Sequence, residues 1–123
     1  MNTGIILFAH GARDPGWARP VERLKVLLRE RMPDASISTA FLEHMQPTLE
    51  EAAAALVESG ANELSIVPVF LAQGGHLRED LPRKVAALEA RYPGLPVRIA
   101  PPIGEVDTIL TAICGWIEGM HRD

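Results

Sequence analysis

Four alternations of strand and helix predict an α/β fold, a three-layer αβα sandwich around a four-stranded parallel sheet, (βα)4. Three observations lead there. Four β-branched apolar runs alternate with four amphipathic runs. Each strand-plus-helix unit takes about 30 residues, the size of a strand and its crossover helix. The first apolar run is continuous rather than alternating, as befits a strand covered on both faces. The length of 123 residues fits a single domain over 1–123 better than two.

The first strand is read over residues 3–9, Thr-Gly-Ile-Ile-Leu-Phe-Ala. A turn follows over residues 10–16. Trp17, Val21, Leu24 and Leu28 then form one stripe of a helix that ends near Pro33. The second strand covers residues 36–42. Thr48 with Glu51 makes a capping box for a helix whose buried stripe is Leu49, Ala52, Leu56 and Val57, stopped by Gly60. The third strand runs from Glu63 to about Phe70. Pro68 inside it cannot donate to a ladder, so a bulge or an early end is expected there, with residues 71–75 leaving the sheet as a loop. Leu81, Val85, Leu88 and Tyr92 mark the third helix. Pro82 is either its first-turn residue or a kink in a helix that starts near Gly75. Residues 95–100 form a short fourth strand closed by Pro101-Pro102. Val106, Ile109, Leu110, Ile113, Trp116 and Ile117 form the last helix, over a wide arc that suits either core packing or a dimer surface.

Composition excludes several classes of function. Hydrophobic residues make up 47% and charged residues 23%, a globular balance. Twelve Lys+Arg against sixteen Asp+Glu give a net charge of −4, which speaks against nucleic acid or an anionic membrane as partner. Residues 32–77 hold six acids and no Lys or Arg, either an acidic helix surface or a field that attracts a cation. The single cysteine, Cys114, rules out a disulfide framework and a cysteine-built metal cluster within one chain; it reads as a small core residue. Neither a signal peptide nor an apolar run of ~18 residues is present, so a cytoplasmic protein is expected.

In open parallel sheets, ligands bind beyond the carboxyl ends of the strands, where strand order reverses. The first strand delivers His10 there, the second Glu43 and His44, and the third Gln73 and His76 through the Gly74-Gly75 loop. Two imidazoles and a carboxylate meeting at one edge would suit a first-row divalent metal. Plainer readings exist for each: His10 and His76 as turn residues, Glu43 as a solvated acid. Strand alternation points His44 away from Glu43, and His121 is expected in solvent. No Gly-x-Gly-x-x-Gly, phosphate-binding loop or Gly-x-Ser-x-Gly elbow occurs, so nucleotide binding and serine hydrolysis have no motif behind them.

Residues 10–15 (His-Gly-Ala-Arg-Asp-Pro), 41–43 (Phe-Leu-Glu) with 47–49 (Pro-Thr-Leu), 67–76 (Val-Pro-Val-Phe-Leu-Ala-Gln-Gly-Gly-His) and 80–82 (Asp-Leu-Pro) resemble the short sirohydrochlorin chelatases, class II chelatases of the CbiX type. The ordered set covers about two thirds of the chain. The resemblance implies a chelatase-like, flavodoxin-like domain that inserts a divalent metal into sirohydrochlorin: Co2+ for cobalamin first, with Fe2+ for siroheme or Ni2+ as alternatives. It implies a homodimer and no organic cofactor; the charge balance and the lack of a long apolar run, not the resemblance, set the expectation of no nucleic acid and no membrane. By the family pattern His10 and His76 handle the metal and Glu43 is their acidic partner. Ala12 departs from the serine common there, removing a hydroxyl near the site.

Insertion requires the ion to shed water, two pyrrole N–H protons to leave and the ring to pucker. Imidazole, with a free pKa near 6.5, suits both ligation and proton acceptance. The substrate is polyanionic and the chain is acidic, so local donors must bind it. Arg13 and Arg78 are candidate carboxylate clamps, helix N-termini offer N–H groups to anions, and Gly74-Gly75 would let the ring approach the backbone. A metal or tetrapyrrole carrier without turnover, or an interaction module, is the reading from a different class.

Overall fold

The computed structural model describes residues 2–122, apart from the side chain of His76. Strands β1 (Thr3–Ala9), β2 (Ser36–Phe41), β3 (Glu63–Pro68) and β4 (Val97–Ile99) form one four-stranded sheet in the order β2-β1-β3-β4. Every pairing is parallel. Helices α1 (Arg19–Arg31), α2 (Leu49–Glu58), α3 (Gly75–Arg91) and α4 (Asp107–Met120) complete the (βα)4 order, with 3-10 turns at Pro15–Ala18 and Ile103–Glu105 that the periodicity does not announce.

β1 is the centre because it is apolar on both sides. Ile6 and Phe8 join Leu64, Ile66, Leu49, Leu56, Leu81 and Leu88 in the larger core, under α2 and α3. Ile5, Leu7 and Ala9 face the other way and pack with Val21, Ile37 and Phe41 under α1. Gly4 allows close packing in this strand, since a Cβ there would stand 2.8 Å from Leu64 Cδ2 and force that side chain to shift. Thr48 caps α2 by accepting from Glu51 N at 3.2 Å, while the Glu51 carboxylate accepts from Thr48 N at 2.9 Å. The capping box read from the sequence is thus closed on both sides.

β2 ends at Phe41, one residue before the expected end, and β4 covers Val97–Ile99 rather than residues 95–100. β3 ends at Pro68, the early end expected where the ladder loses a donor. α3 begins at Gly75 and carries Pro82 inside it, so the kinked-helix alternative holds. The largest difference is α4. None of its residues is buried, and Cys114, expected in the core, is exposed.

Phe8, fully buried and edge-on to Phe70 at 6.4 Å between ring centroids, anchors the larger core. Phe8→Ala is expected to lower unfolding free energy by about 3–5 kcal/mol. Urea melts of the two proteins check this. The exposed Leu71→Ala change should stay within about 0.5 kcal/mol.

Candidate functional site

Strand order reverses around β1, whose neighbours are β2 and β3, so the carboxyl edge of β1 is where a crevice opens. His10 is the first residue past β1. Glu43 lies two residues past β2. Main-chain bonds between the two segments continue past the last ladder pair: Leu42 N donates to Ala9 O at 3.0 Å and Glu43 N to His10 O at 3.1 Å. Main-chain register therefore brings the two residues together, and His10 Nε2 stands 3.4 Å from Glu43 Oε1.

Gly11 makes this approach possible. Its φ is +92°, and a Cβ at that position would collide with the carbonyl oxygen of Glu43. A side chain is excluded twice, by backbone conformation and by space.

His44 corrects the expectation from alternation. With β2 ended at Phe41, the chain bends through residues 42–47 and His44 takes φ +64°, a left-handed conformation in which His is enriched among non-glycine residues. That turn brings His44 Nε2 to 3.8 Å from the same Glu43 oxygen. Pro47, six residues past the end of β2, is the signal that the strand, and with it the alternation, had stopped.

The distances have chemical meaning. Nitrogen and oxygen ligands about 2.1 Å from a divalent ion, at a tetrahedral angle, stand roughly 3.4 Å apart. The observed 3.4 Å between His10 and Glu43 equals that spacing. It is also longer than a good hydrogen bond. Both side chains are about half exposed, at 55% and 51%, so an ion can enter without local unfolding. Among the described residues no group of three or more His, Cys, Asp and Glu side chains forms a complete metal cage.

The remaining expected residues fall around this pair. His76 is the second residue of α3, which leaves the carboxyl end of β3 beside β1; its side chain lies outside the described residues. Gly74 caps α3 without any side-chain partner, and neither Gly74 nor Gly75 has a neighbour where a Cβ would go. Their contribution is an open approach to the first helical N–H groups rather than an unusual backbone angle. Arg78 is exposed in that first turn. Arg13, with Glu22, Phe41, His44 and Gln46, lines a cleft of about 330 Å³. A second, of about 590 Å³, lies against Leu42, Glu43, His44 and Thr48. The two clefts flank the 42–46 bend.

Comparison with known proteins gives the arrangement a context. The family model CbiX matches residues 4–118. The chain belongs to the CbiX family. A sirohydrochlorin cobaltochelatase of Methanopyrus kandleri is 34% identical over 72% of this chain and 61% of its own length. That of Sulfurisphaera tokodaii is 30% identical over 97% of this chain and 94% of its own. A sirohydrochlorin ferrochelatase of Bacillus subtilis is 31% identical over 60% of the chain and 28% of its own length. Among solved structures, a cobalamin (vitamin B12) biosynthesis CbiX protein from Marinobacter aquaeolei superposes with a TM-score of 0.82 at 33% identity, covering 96% of each chain. The sirohydrochlorin chelatase SirB of Bacillus subtilis, in complex with cobalt, gives 0.74 at 26% identity over 97% of this chain and 51% of its own. This CbiX chain therefore spans less than two thirds of the Methanopyrus protein and about half of SirB.

Gly11→Ala should separate His10 from Glu43 and cost about 1–3 kcal/mol of stability through the positive φ alone. Calorimetric titration with Co2+ is expected to show weakened binding in that variant. Gly74→Ala, facing open space, should bind Co2+ as the parent does and melt within about 0.5 kcal/mol of it.

Proposed function

We propose that this chain inserts a divalent metal, Co2+ first, into sirohydrochlorin, as the activity named for its CbiX relatives suggests. The observation that carries the reading is the His10–Glu43 pair, held at the spacing of two ligands on one ion by the main-chain bonds just past the β1–β2 ladder. Fe2+ is the second reading, favoured by the ferrochelatase relative, and Ni2+ the third. Imidazole and carboxylate accept all three ions, and affinity order alone does not choose among them.

The chemistry follows from the donor set. His10 Nε2 and Glu43 Oε1 hold the hydrated ion by one edge and displace two of its waters. The other coordination positions stay open to the pyrrole nitrogens. Two protein donors grip an ion less tightly than a closed four-ligand cage, which suits an ion that must be handed on. Glu43 balances charge as the ion loses water. Once the metal moves to the ring, the released imidazole and carboxylate are bases within reach of the two departing pyrrole protons. His76, at the opposite side of the crevice by its place in α3, is assigned as the second imidazole on the ion. His44 Nε2, 3.8 Å from the same Glu43 oxygen, is beyond hydrogen-bond distance and adds a second imidazole beside the pair.

Substrate carboxylates need local donors, because the chain's net charge is −4. The open N-terminus of α3 at Gly74 and Gly75 offers N–H groups and a favourable dipole. Arg13 and Arg78 are assigned as clamps on the rim. In this reading 1–123 acts as one domain, in the cytoplasm, without an organic cofactor. No helix among the described residues is long and apolar enough to cross a membrane. A homodimer is proposed as well: two such chains match the length of SirB, of which this chain covers 51%.

His10→Ala is expected to slow cobalt insertion by at least about 100-fold, with an unchanged circular dichroism spectrum. Glu43→Gln, which keeps shape and removes charge, should cost about 10–100-fold. The assay is the absorption change of sirohydrochlorin under anaerobic conditions with Co2+, Fe2+ or Ni2+. Near-normal rates in the His10→Ala/His76→Ala double variant would defeat the assignment. Pigment binding without acceleration above the free reaction would make the chain a carrier.

A further inference from the structure

The bend after β2 places a histidine where the backbone has no need of one. His44 has φ +64°, a left-handed conformation that glycine takes without steric cost. A backbone outlier of this kind beside a site points to a use for its side chain. That use is not to hold Glu43, because the imidazole Nε2 stands 3.8 Å from Glu43 Oε1, beyond hydrogen-bond distance. Nor does His44 complete a metal cage, since no three His, Cys, Asp and Glu side chains among the described residues form one. Its place is the ridge between two clefts. It borders both the cleft of about 590 Å³ that contains Glu43 and the cleft of about 330 Å³ that contains Arg13.

The Arg13 cleft has the donors of an anion site. Three nitrogen-bearing side chains line it, the Arg13 guanidinium, the His44 imidazole and the Gln46 carboxamide. Among the described residues none of the three is hydrogen-bonded to another part of the protein, and Arg13 has no ion pair. The one acid in the lining, Glu22, is engaged at both oxygens: Thr39 Oγ1 donates to Oε1 at 3.2 Å, and Lys25 Nζ stands 3.1 Å from Oε2. The donors that remain are therefore uncompensated. Phe41 and Met45 supply an apolar wall, so the lining suits a short hydrocarbon chain that ends in a carboxylate. A tetrapyrrole centred on the His10–Glu43 pair has its rim one pyrrole ring and one such chain away. An arm that crosses the 42–46 bend enters this cleft.

We propose that the cleft between Arg13 and His44 takes one carboxylate arm of the tetrapyrrole and so fixes how the ring lies over the metal-binding pair. His44 is then a substrate-binding residue, with Arg13 as its charged companion and Gln46 as a third donor. The proposal rests on the sirohydrochlorin reading and concerns the rim of the pigment rather than the metal.

The test reads pigment and metal separately, on the full chain, in the parent, His44→Asn and Arg13→Gln. Asparagine tolerates the left-handed backbone and removes the imidazole. Metal-free sirohydrochlorin is titrated anaerobically and followed by its own fluorescence; Co2+ alone is titrated by calorimetry. Each variant is expected to raise the pigment dissociation constant at least about tenfold and to leave that for Co2+ within about twofold. The fully methyl-esterified pigment, which has no carboxylate, should bind all three proteins alike. Unchanged pigment affinity in both variants overturns the proposal, as does an equal loss for acid and ester. A His44→Asn variant that loses Co2+ affinity makes His44 a metal ligand and overturns it as well. A parent that binds pigment without speeding metal insertion defeats the chelatase reading alone, because the dissociation constants still report the arm contact. A parent that binds no pigment defeats both. If His44→Asn fails to fold by circular dichroism, His44→Gly takes its place with the same expected loss.

Discussion

The site depends on two main-chain hydrogen bonds made just past the last ladder pair of β1 and β2, Ala9 with Phe41. Leu42 N to Ala9 O and Glu43 N to His10 O come from consecutive residues, unlike the alternate-residue bonds of a parallel ladder, and lie where side chains begin to face solvent instead of core. Because they form, the imidazole of His10 and the carboxylate of Glu43 face each other across 3.4 Å, although 33 residues separate them in the chain. Gly11 is the condition for that closeness, since any Cβ would meet the Glu43 carbonyl. A rigid buried scaffold thus ends in a short polar edge whose geometry it dictates, the usual division of labour in α/β folds.

Burial and function are separated along each strand. Residues 4–9 of β1 are buried, and the next residue, His10, is half exposed. The same step occurs between Phe41, 4% exposed, and Glu43. The core therefore holds the donors without enclosing them. An enclosed charged cluster would suffer heavy desolvation; this exposed edge leaves both side chains open to solvent. In the proposed reading, that openness suits an ion that must be handed on.

Much of this was legible in the residues themselves. Continuous apolar runs gave the parallel sheet, because strands covered on both faces need no polar alternation. Thr48 and Glu51 marked the start of α2, since a capping box is local chemistry and the structure realises both of its bonds. The meeting of His10 and Glu43 at one edge was legible because both follow the carboxyl ends of adjacent strands. What escaped depends on contacts distant in sequence. The left-handed turn at His44 follows from the early end of β2, which alternation alone overruns. Gly104 reads as a loop glycine until Leu71 is seen against it. The apolar residues of α4 look like core, and periodicity cannot say whether the surface that covers them belongs to the same chain.

The most direct test of the account is X-ray absorption at the cobalt edge on Co2+-loaded protein, parent against His10→Ala. The account predicts a first shell of mixed nitrogen and oxygen at about 2.0–2.2 Å, with imidazole multiple scattering in the parent that falls in the variant. An all-oxygen shell in the parent, or a spectrum that the His10→Ala change leaves untouched, would contradict it.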